Sequence, residues 1–243
     1  MVDLSHTSSE DWIYVYEPSD DTFFLEDTLK QETEIIVKAN PAIICEVGCG
    51  SGYISSSILK ELNKRQIYPL TLLTDINKSA INLAKRTITH NNISSGTEFI
   101  NMELFDSFRN INRSKLNNGI LDLIIFNPPY VPCLEDELIQ LRKQCNIDVA
   151  WAGGLNGLEI INRFLFGKDN LHKTKLDEVI CLYNILSYGG LCYLLLEGRN
   201  KPIDVINLLR QNKNYIGWNI DIINEKKISG EHLYIVKLIK RLQ

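Results

Sequence analysis

No stretch of this sequence approaches the run of about 20 apolar residues that a membrane helix needs. Its first residues, MVDLSHTSSEDW, have neither the basic start nor the apolar centre of a secretory leader. The expectation is a soluble intracellular protein with no membrane contact, cytoplasmic, with the nucleus as a second compartment open to it. Paired cysteines are missing as well. The six stand at 45, 49, 133, 145, 181 and 192 with no CxxC spacing, which argues for small buried hydrophobes and against a metal site or a disulfide framework. Nor is there an excess of positive charge. With 26 Lys and Arg against 30 Asp and Glu, the formal net charge of −4 does not suit a surface devoted to nucleic acid, although a local basic patch stays open. Internal repeats are absent.

What is present is a chain of 243 residues, 44% hydrophobic, long enough for one large α/β domain with a sizeable core. The runs AIICEV (42–47), LTLLTD (70–75), TEFINM (97–102), LDLIIF (121–126) and LCYLLLE (191–197) predict buried strands. Helix-length segments at 51–63 and 77–91 lie between them. Alternation of this kind implies right-handed crossovers and a mostly parallel sheet covered on both faces. The segment Asp75-Ile-Asn77-Lys-Ser supplies a cap for the second helix, and Pro202 suits the first turn of a later one. YIGWNIDII (215–223) and EHLYIVKLI (231–239), separated by the charged NEKKISG, predict a terminal hairpin. Parallel strands with an antiparallel edge are the plan of a nucleotide-binding fold. The Asn- and Lys-rich stretches 109–119 and 167–175 read as solvated loops.

Four constellations carry chemistry. EVGCGSG (46–52) is a strand end, a glycine loop and a helix start. Gly48, Gly50 and Gly52 allow a sharp turn and close approach of a ligand to helix N–H groups. The spacing is that of neither a dinucleotide fingerprint nor a P-loop. Asp75 ends the next strand, where a carboxylate can accept both hydroxyls of a ribose, and it could equally be a helix cap. Asp106, just after the third strand, could accept from an adenine amino group or be an ordinary loop acid. The fourth is FNPPYVP (126–132), at the carboxyl end of a central strand. Pro128 and Pro129 each hold φ near −65° and restrict the residue before them, so what they immobilise is Asn127. Its side-chain oxygen and the Pro128 carbonyl form a pair of acceptors suited to an –NH₂ group, with Tyr130 as a planar face for stacking.

With these residues in place, the sequence resembles the class I methyltransferases that use S-adenosylmethionine, a Rossmann-like fold with a seven-stranded, mostly parallel sheet and a C-terminal antiparallel hairpin. YEPSDDTFFLEDTL (16–29) and AWAGGLNGLEIINRFL (150–165) narrow the likeness to the HemK-like protein glutamine methyltransferases of the eukaryotic and archaeal type. The Asn-Pro-Pro-Tyr motif alone is shared with adenine methyltransferases. The resemblance implies methylation of the glutamine in the Gly-Gly-Gln motif of a translation termination factor. It implies cofactor contacts at Thr22, Glu46, Gly48, Gly50, Gly52, Asp75, Asp106 and Asn127, and catalytic and substrate contacts at Asn127, Pro128, Pro129 and Tyr130. Residues 1–40 are then an N-terminal extension and helix over the cofactor site, and 41–243 the methyltransferase domain. The first core strand begins near residue 42, which leaves no room for the helical domain with which bacterial relatives hold their substrate. The resemblance implies instead a small zinc-binding activator subunit covering an apolar face. The segment 167–175 resembles an insertion, with no functional account.

An amide nitrogen is a poor nucleophile, so catalysis is expected chiefly from positioning it against two acceptors, with no general base apparent. Adenine N6-methylation in DNA or RNA is the competing reading; the acidic balance and lack of a recognition domain weigh against it. A catalytically silent binding subunit would be betrayed by a broken glycine loop or a lost Asn127, and neither is seen. A nicotinamide oxidoreductase fails on glycine spacing.

Overall fold

The structure is a computed structural model and describes residues 1–93, 96–110, 118–144, 147–167 and 180–241. Three N-terminal helices, α1 (Asp11–Tyr14), α2 (Asp20–Gln31) and α3 (Thr33–Ala39), lead into β1 (Ile43–Val47). There follow α4 (Tyr53–Lys64), β2 (Leu70–Asp75), α5 (Lys78–His90), β3 (Thr97–Asn101) and β4 (Leu121–Phe126). The later strands are β5 (Leu186–Glu197), β6 (Asn219–Ile228) and β7 (Glu231–Ile239), with helices at Glu135–Gln144, Glu159–Phe166 and Pro202–Gln211 among the intervening elements. Local signals set these boundaries. The Asn77 side chain accepts the Ser79 N–H at 2.8 Å and so caps α5, while Pro202 occupies the first turn of its helix.

The strands form one sheet in the order β3-β2-β1-β4-β5-β7-β6. β1 to β5 run parallel, and β7 is antiparallel to both β5 and β6. In β4, Leu121, Leu123, Ile124, Ile125 and Phe126 are all buried. Since successive side chains point to opposite faces, this strand must be covered on both. Each such side chain contributes about 1.5–3 kcal/mol on burial. The N-terminal segment is not a separate body, because Val2, Phe24, Leu25, Leu29 and Ile36 join the same core as the strands. The order reverses at β1, which pairs with β2 on one side and β4 on the other. Ligands of open α/β sheets bind at such a reversal, beyond the carboxyl ends of the strands.

Two boundaries differ from the sequence reading. β5 starts at Leu186, five residues before 191, with Gly189 and Gly190 inside it beside an irregularity in the β4 register. A Tyr-Gly-Gly run reads as a turn until a partner strand is known. In the hairpin, NEKKI belongs to β6 and only Ser229 and Gly230 make the turn, while Tyr215 is a buried residue in a short 3₁₀ turn before the strand. Lys226 and Lys227 are exposed on an edge strand, where charge blocks further pairing, and this gave the segment its turn-like composition. Of the expected loops, Arg109 and Asn110 end a 3₁₀ turn (Asp106–Asn110) and Gly167 caps a helix; 111–117 and 168–175 lie outside the described residues.

Candidate active site

The glycine loop leaves β1 at the reversal point and brings Gly48 and Gly50 to the wall of a cavity of about 290 Å³. The Gly50 N–H donates to Asp75 Oδ2 at 3.0 Å and the Asn77 N–H to Asp75 Oδ1 at 2.8 Å. Asp75 thus braces the loop and caps its own strand end, with lone pairs left over on each oxygen. It is half-buried by exposed area, but protein surrounds it so densely that desolvation pushes its carboxyl up to about 6, against the pull of those two N–H groups. Glu46 lies deeper. Its Oε2 accepts the Ser55 N–H at 2.9 Å and the Ser55 hydroxyl, tying β1 to α4, and burial still pushes its carboxyl up to about 8. Gly52 does not line the cavity. It sits at φ +75°, where a Cβ would come within 3.0 Å of the Ala84 Cα, so its task is to let α4 and α5 approach.

The structure does not bring Asp106 to the cavity, contrary to the expectation from sequence. Its carboxylate accepts from Arg163 Nη2 at 3.1 and 3.2 Å and from Arg109 Nη2 at 2.8 Å. β3 ends at Asn101, and it is Met102, Glu103 and Leu104 that pass along the cavity before the chain tightens into the 3₁₀ turn. Glu103 is therefore the acid at this wall. Leu104 has φ +44°, a left-handed conformation unfavourable for a leucine.

On the other wall, Pro128, Pro129 and Tyr130 line the cavity with Asn127 between them and β4. Asn127 Nδ2 donates to Asp21 Oδ2 at 2.9 Å. An ionised carboxylate can only accept, so this bond determines which way the amide faces. Its Oδ1 is buried and has no partner among the described residues. Asp21, on the first turn of α2, also accepts the Thr22 N–H at 2.6 Å, the Thr22 hydroxyl at 3.2 Å and the Tyr16 hydroxyl at 3.3 Å. Tyr130 is 8% exposed, and its hydroxyl donates to Glu231 Oε2 at 3.2 Å with Asp21 Oδ2 at 3.4 Å. Burial, then the charges of Asp21 and Glu231, hold the phenol well above its ordinary range, so it stays a donor.

The AWAGGLNG segment lines the cavity at Ala150, Trp151 and Ala152, and its remainder packs behind Tyr130. Val131 bridges Ala152, and Asn200 Nδ2 donates to the Tyr130 carbonyl at 3.0 Å and the Asn156 carbonyl at 3.2 Å. A Cβ on Gly157 would lie 1.9 Å from the Tyr130 oxygen, so only glycine permits the contact. The structure thus gathers Thr22, Glu46, Gly48, Gly50, Asp75, Asn127, Pro128, Pro129 and Tyr130 at one cavity and leaves out Gly52 and Asp106. Tyr16, Asp21, Glu103 and Glu231 were missed. Asp21 stood beside Thr22 in the quoted motif and Glu103 three residues from Asp106. For Glu231, at the start of a hairpin strand, no local signal existed. Apolar walls from Val15, Ile54, Met102 and Leu104 and carboxylates at both ends suit a cationic, partly apolar ligand beside a neutral amide.

The Methyltransferase small domain family matches residues 19–141. The eRF1 methyltransferase catalytic subunit mtq2 of Schizosaccharomyces pombe is 29% identical over 234 residues, 93% of this chain and 89% of that protein. The mouse methyltransferase HEMK2 is 32% identical over 196 residues, 81% of this chain and 78% of that protein. Among solved structures, the E. cuniculi Mtq2–Trm112 complex, described as responsible for methylation of the eRF1 translation termination factor, is similar with a TM-score of 0.53. The identity there is 26%, over 93% of this chain and 98% of that one. The likeness extends well past the glycine loop to nearly the whole chain, and on that ground the chain belongs to the Methyltransferase small domain family, in its HemK-like class I branch.

Proposed function

We propose that this chain transfers a methyl group from S-adenosylmethionine to the side-chain nitrogen of the glutamine in a Gly-Gly-Gln motif of a class 1 translation termination factor. One observation carries the reading: Asn127 Oδ1 is buried at the cavity wall without a partner among the described residues, while its Nδ2 is committed to Asp21. A buried acceptor left unsatisfied costs about 1–3 kcal/mol, and a primary amide entering the cavity would relieve that cost.

The residues present suit the cofactor. Asp75 would accept from ribose hydroxyls, Glu103 from an adenine amino group, and Gly48 and Gly50 would let the ligand lie against the backbone. Thr22, from the N-terminal segment packed over the site, would close it. When bound, S-adenosylmethionine supplies a methyl group on a sulfonium that departs as a neutral thioether. Asn127 Oδ1 and the Pro128 carbonyl accept the two hydrogens of the target –NH₂ and aim its nitrogen, which is catalysis by positioning. As positive charge develops on that nitrogen, these oxygens bind it more strongly, and the charges of Asp21 and Glu231 act in the same direction. The proton then passes to water. Lysine is refused, because its ammonium has no free lone pair and no acceptor to match a pocket shaped for an amide.

A small partner, zinc-binding as the family resemblance implies, belongs to the same reading; the Trm112 subunit in the similar complex supports the partner itself. Among the described residues β3 is one of the two edges of the sheet, with half-buried Phe99 and Ile100 beside exposed Tyr68 and Leu70 at the head of β2. An apolar edge of this kind is normally an interface. The deciding experiment is a methyl-transfer assay with labelled cofactor and the partner present. It offers a termination factor, its Gln→Ala variant, and adenine-containing DNA and RNA side by side. Label on the intact factor that is lost in the variant is the expected result. Equal label on both forms, or label on nucleic acid alone, overturns the assignment in favour of another residue or of adenine.

A further inference from the structure

We infer that Arg163, which does not line the cavity, is the positioning residue that holds the 102–106 turn in its cofactor-binding shape; the inference rests on the methyltransferase reading. Arg163 lies on the helix Glu159–Phe166 and is 4% exposed. Its Nη1 is ion-paired with Glu103 Oε2 at 2.7 Å without hydrogen-bond alignment, and its Nη2 donates to the two Asp106 oxygens at 3.1 and 3.2 Å. One planar guanidinium therefore grips both ends of the four-residue turn Glu103-Leu104-Phe105-Asp106.

What it grips is strained. Leu104, in the middle, is held at φ +44°, is 7% exposed and lines the cavity. A leucine keeps that conformation only where its surroundings impose it. The remaining fastenings are consistent with a built device. The Met102 N–H donates to the Asp75 carbonyl at 3.0 Å and the Asp106 N–H to the Glu103 carbonyl at 2.9 Å. Phe105 packs on Phe164, the residue after Arg163, at 5.4 Å between ring centroids, and Phe164 packs on Phe126 of β4 at 4.7 Å. With the guanidinium gone, Leu104 is free to relax towards an ordinary φ and Glu103 loses its ion pair to Arg163. Both changes fall on the wall assigned to the adenine.

The test uses the full chain with its partner, calorimetric binding of S-adenosylmethionine and S-adenosylhomocysteine, steady-state kinetics and thermal unfolding. Four variants are compared: Arg163→Lys, Asp106→Asn, the double variant, and Arg109→Ala. Lysine cannot span two carboxylates with one planar group. Arg163→Lys and Asp106→Asn are each expected to raise the cofactor Kd and KM about tenfold, with kcat within about twofold. The double variant should be little worse than Arg163→Lys alone, because that substitution already cuts the link to Asp106. Arg109→Ala, which removes only the outer and largely solvated partner of Asp106, should bind as the wild type does. Wild-type binding by folded Arg163→Lys and Asp106→Asn overturns the inference, as do fully multiplicative effects. A fall in unfolding temperature and kcat with unchanged cofactor KM also overturns it, because that is the pattern of a merely structural residue. If Arg163→Lys does not fold, Asp106→Asn, whose side chain is 35% exposed, decides alone. Failure of the wild-type chain to bind either compound would instead overturn the methyltransferase reading.

Discussion

On the β1–β2 side of the cavity the polar contacts span short lengths of chain: Asp75 meets the Gly50 N–H 25 residues away and the Asn77 N–H two residues away. On the β4 side they span nearly half the protein. Asn127 meets Asp21 across 106 residues, and Tyr130 meets Glu231 across 101. The first wall is made by the backbone of one strand-loop-helix unit and its neighbour. The second exists only when the N-terminal helix and the C-terminal hairpin have both docked on the sheet. The binding wall is therefore locally encoded, while the wall assigned to the chemistry depends on the completed fold.

If the walls divide their labour in this way, damage to one should leave the other's task nearly intact. The largest effect is expected from Asn127→Ala, which removes the buried acceptor, unpartnered among the described residues, that the proposed function assigns to the target nitrogen. Loss of one such preorganised group costs about 10²–10³ in kcat. Cofactor affinity should stay within about threefold, read by calorimetry beside single-turnover kinetics. A loss of affinity as large as the loss of kcat would erase the distinction between the walls.

Asp75→Ala should do the reverse, weakening the cofactor about ten- to hundredfold with little change in kcat at saturation. The wild-type protein should show the same effect through pH. The Asp75 carboxyl is held up to about 6 by burial, so its charged acceptor is present above that pH and neutralised below it. Cofactor affinity should thus fall as pH drops from 7 to 5, and the fall should be absent in Asp75→Asn. A wild-type profile that is flat over that window would remove Asp75 from ribose recognition.

The smallest effect, and the one that probes the comparison most finely, belongs to Asp21→Asn. A carboxylate can only accept, whereas an asparagine offers either an oxygen or an –NH₂, so Asn127 loses the bond that determines its orientation. A drop of about tenfold in kcat, with cofactor affinity and unfolding temperature close to wild type, is the expected outcome. Unchanged kcat would mean that the prolines alone orient Asn127.

The strands and the helices between them were legible because apolar periodicity and capping are local properties. β4 lies where the sequence placed it, and the cap of α5 falls within the expected segment 75–79, at Asn77. The Asn-Pro-Pro-Tyr rim was legible for the same reason, since two successive prolines constrain their own backbone whatever surrounds them. The start of β5 and the extent of β6 were not, because a Gly-Gly pair and a Lys-rich edge strand imitate turns until their partner strands are known. Asp106 was misread by a few residues, a distance that decides whether a side chain faces the cavity or turns to Arg163.

The sequence by itself thus determined the order of elements, the glycine loop, the strand-end acid at Asp75 and the stiffened Asn127, all products of short-range steric and hydrogen-bonding rules. Only the tertiary structure decided that Asp21 aims the Asn127 amide, that Glu231 holds Tyr130 and that Arg163 grips the Leu104 turn. A charged side chain acquires its partner from whichever segments the packed core brings alongside it. No spacing along the chain records that choice.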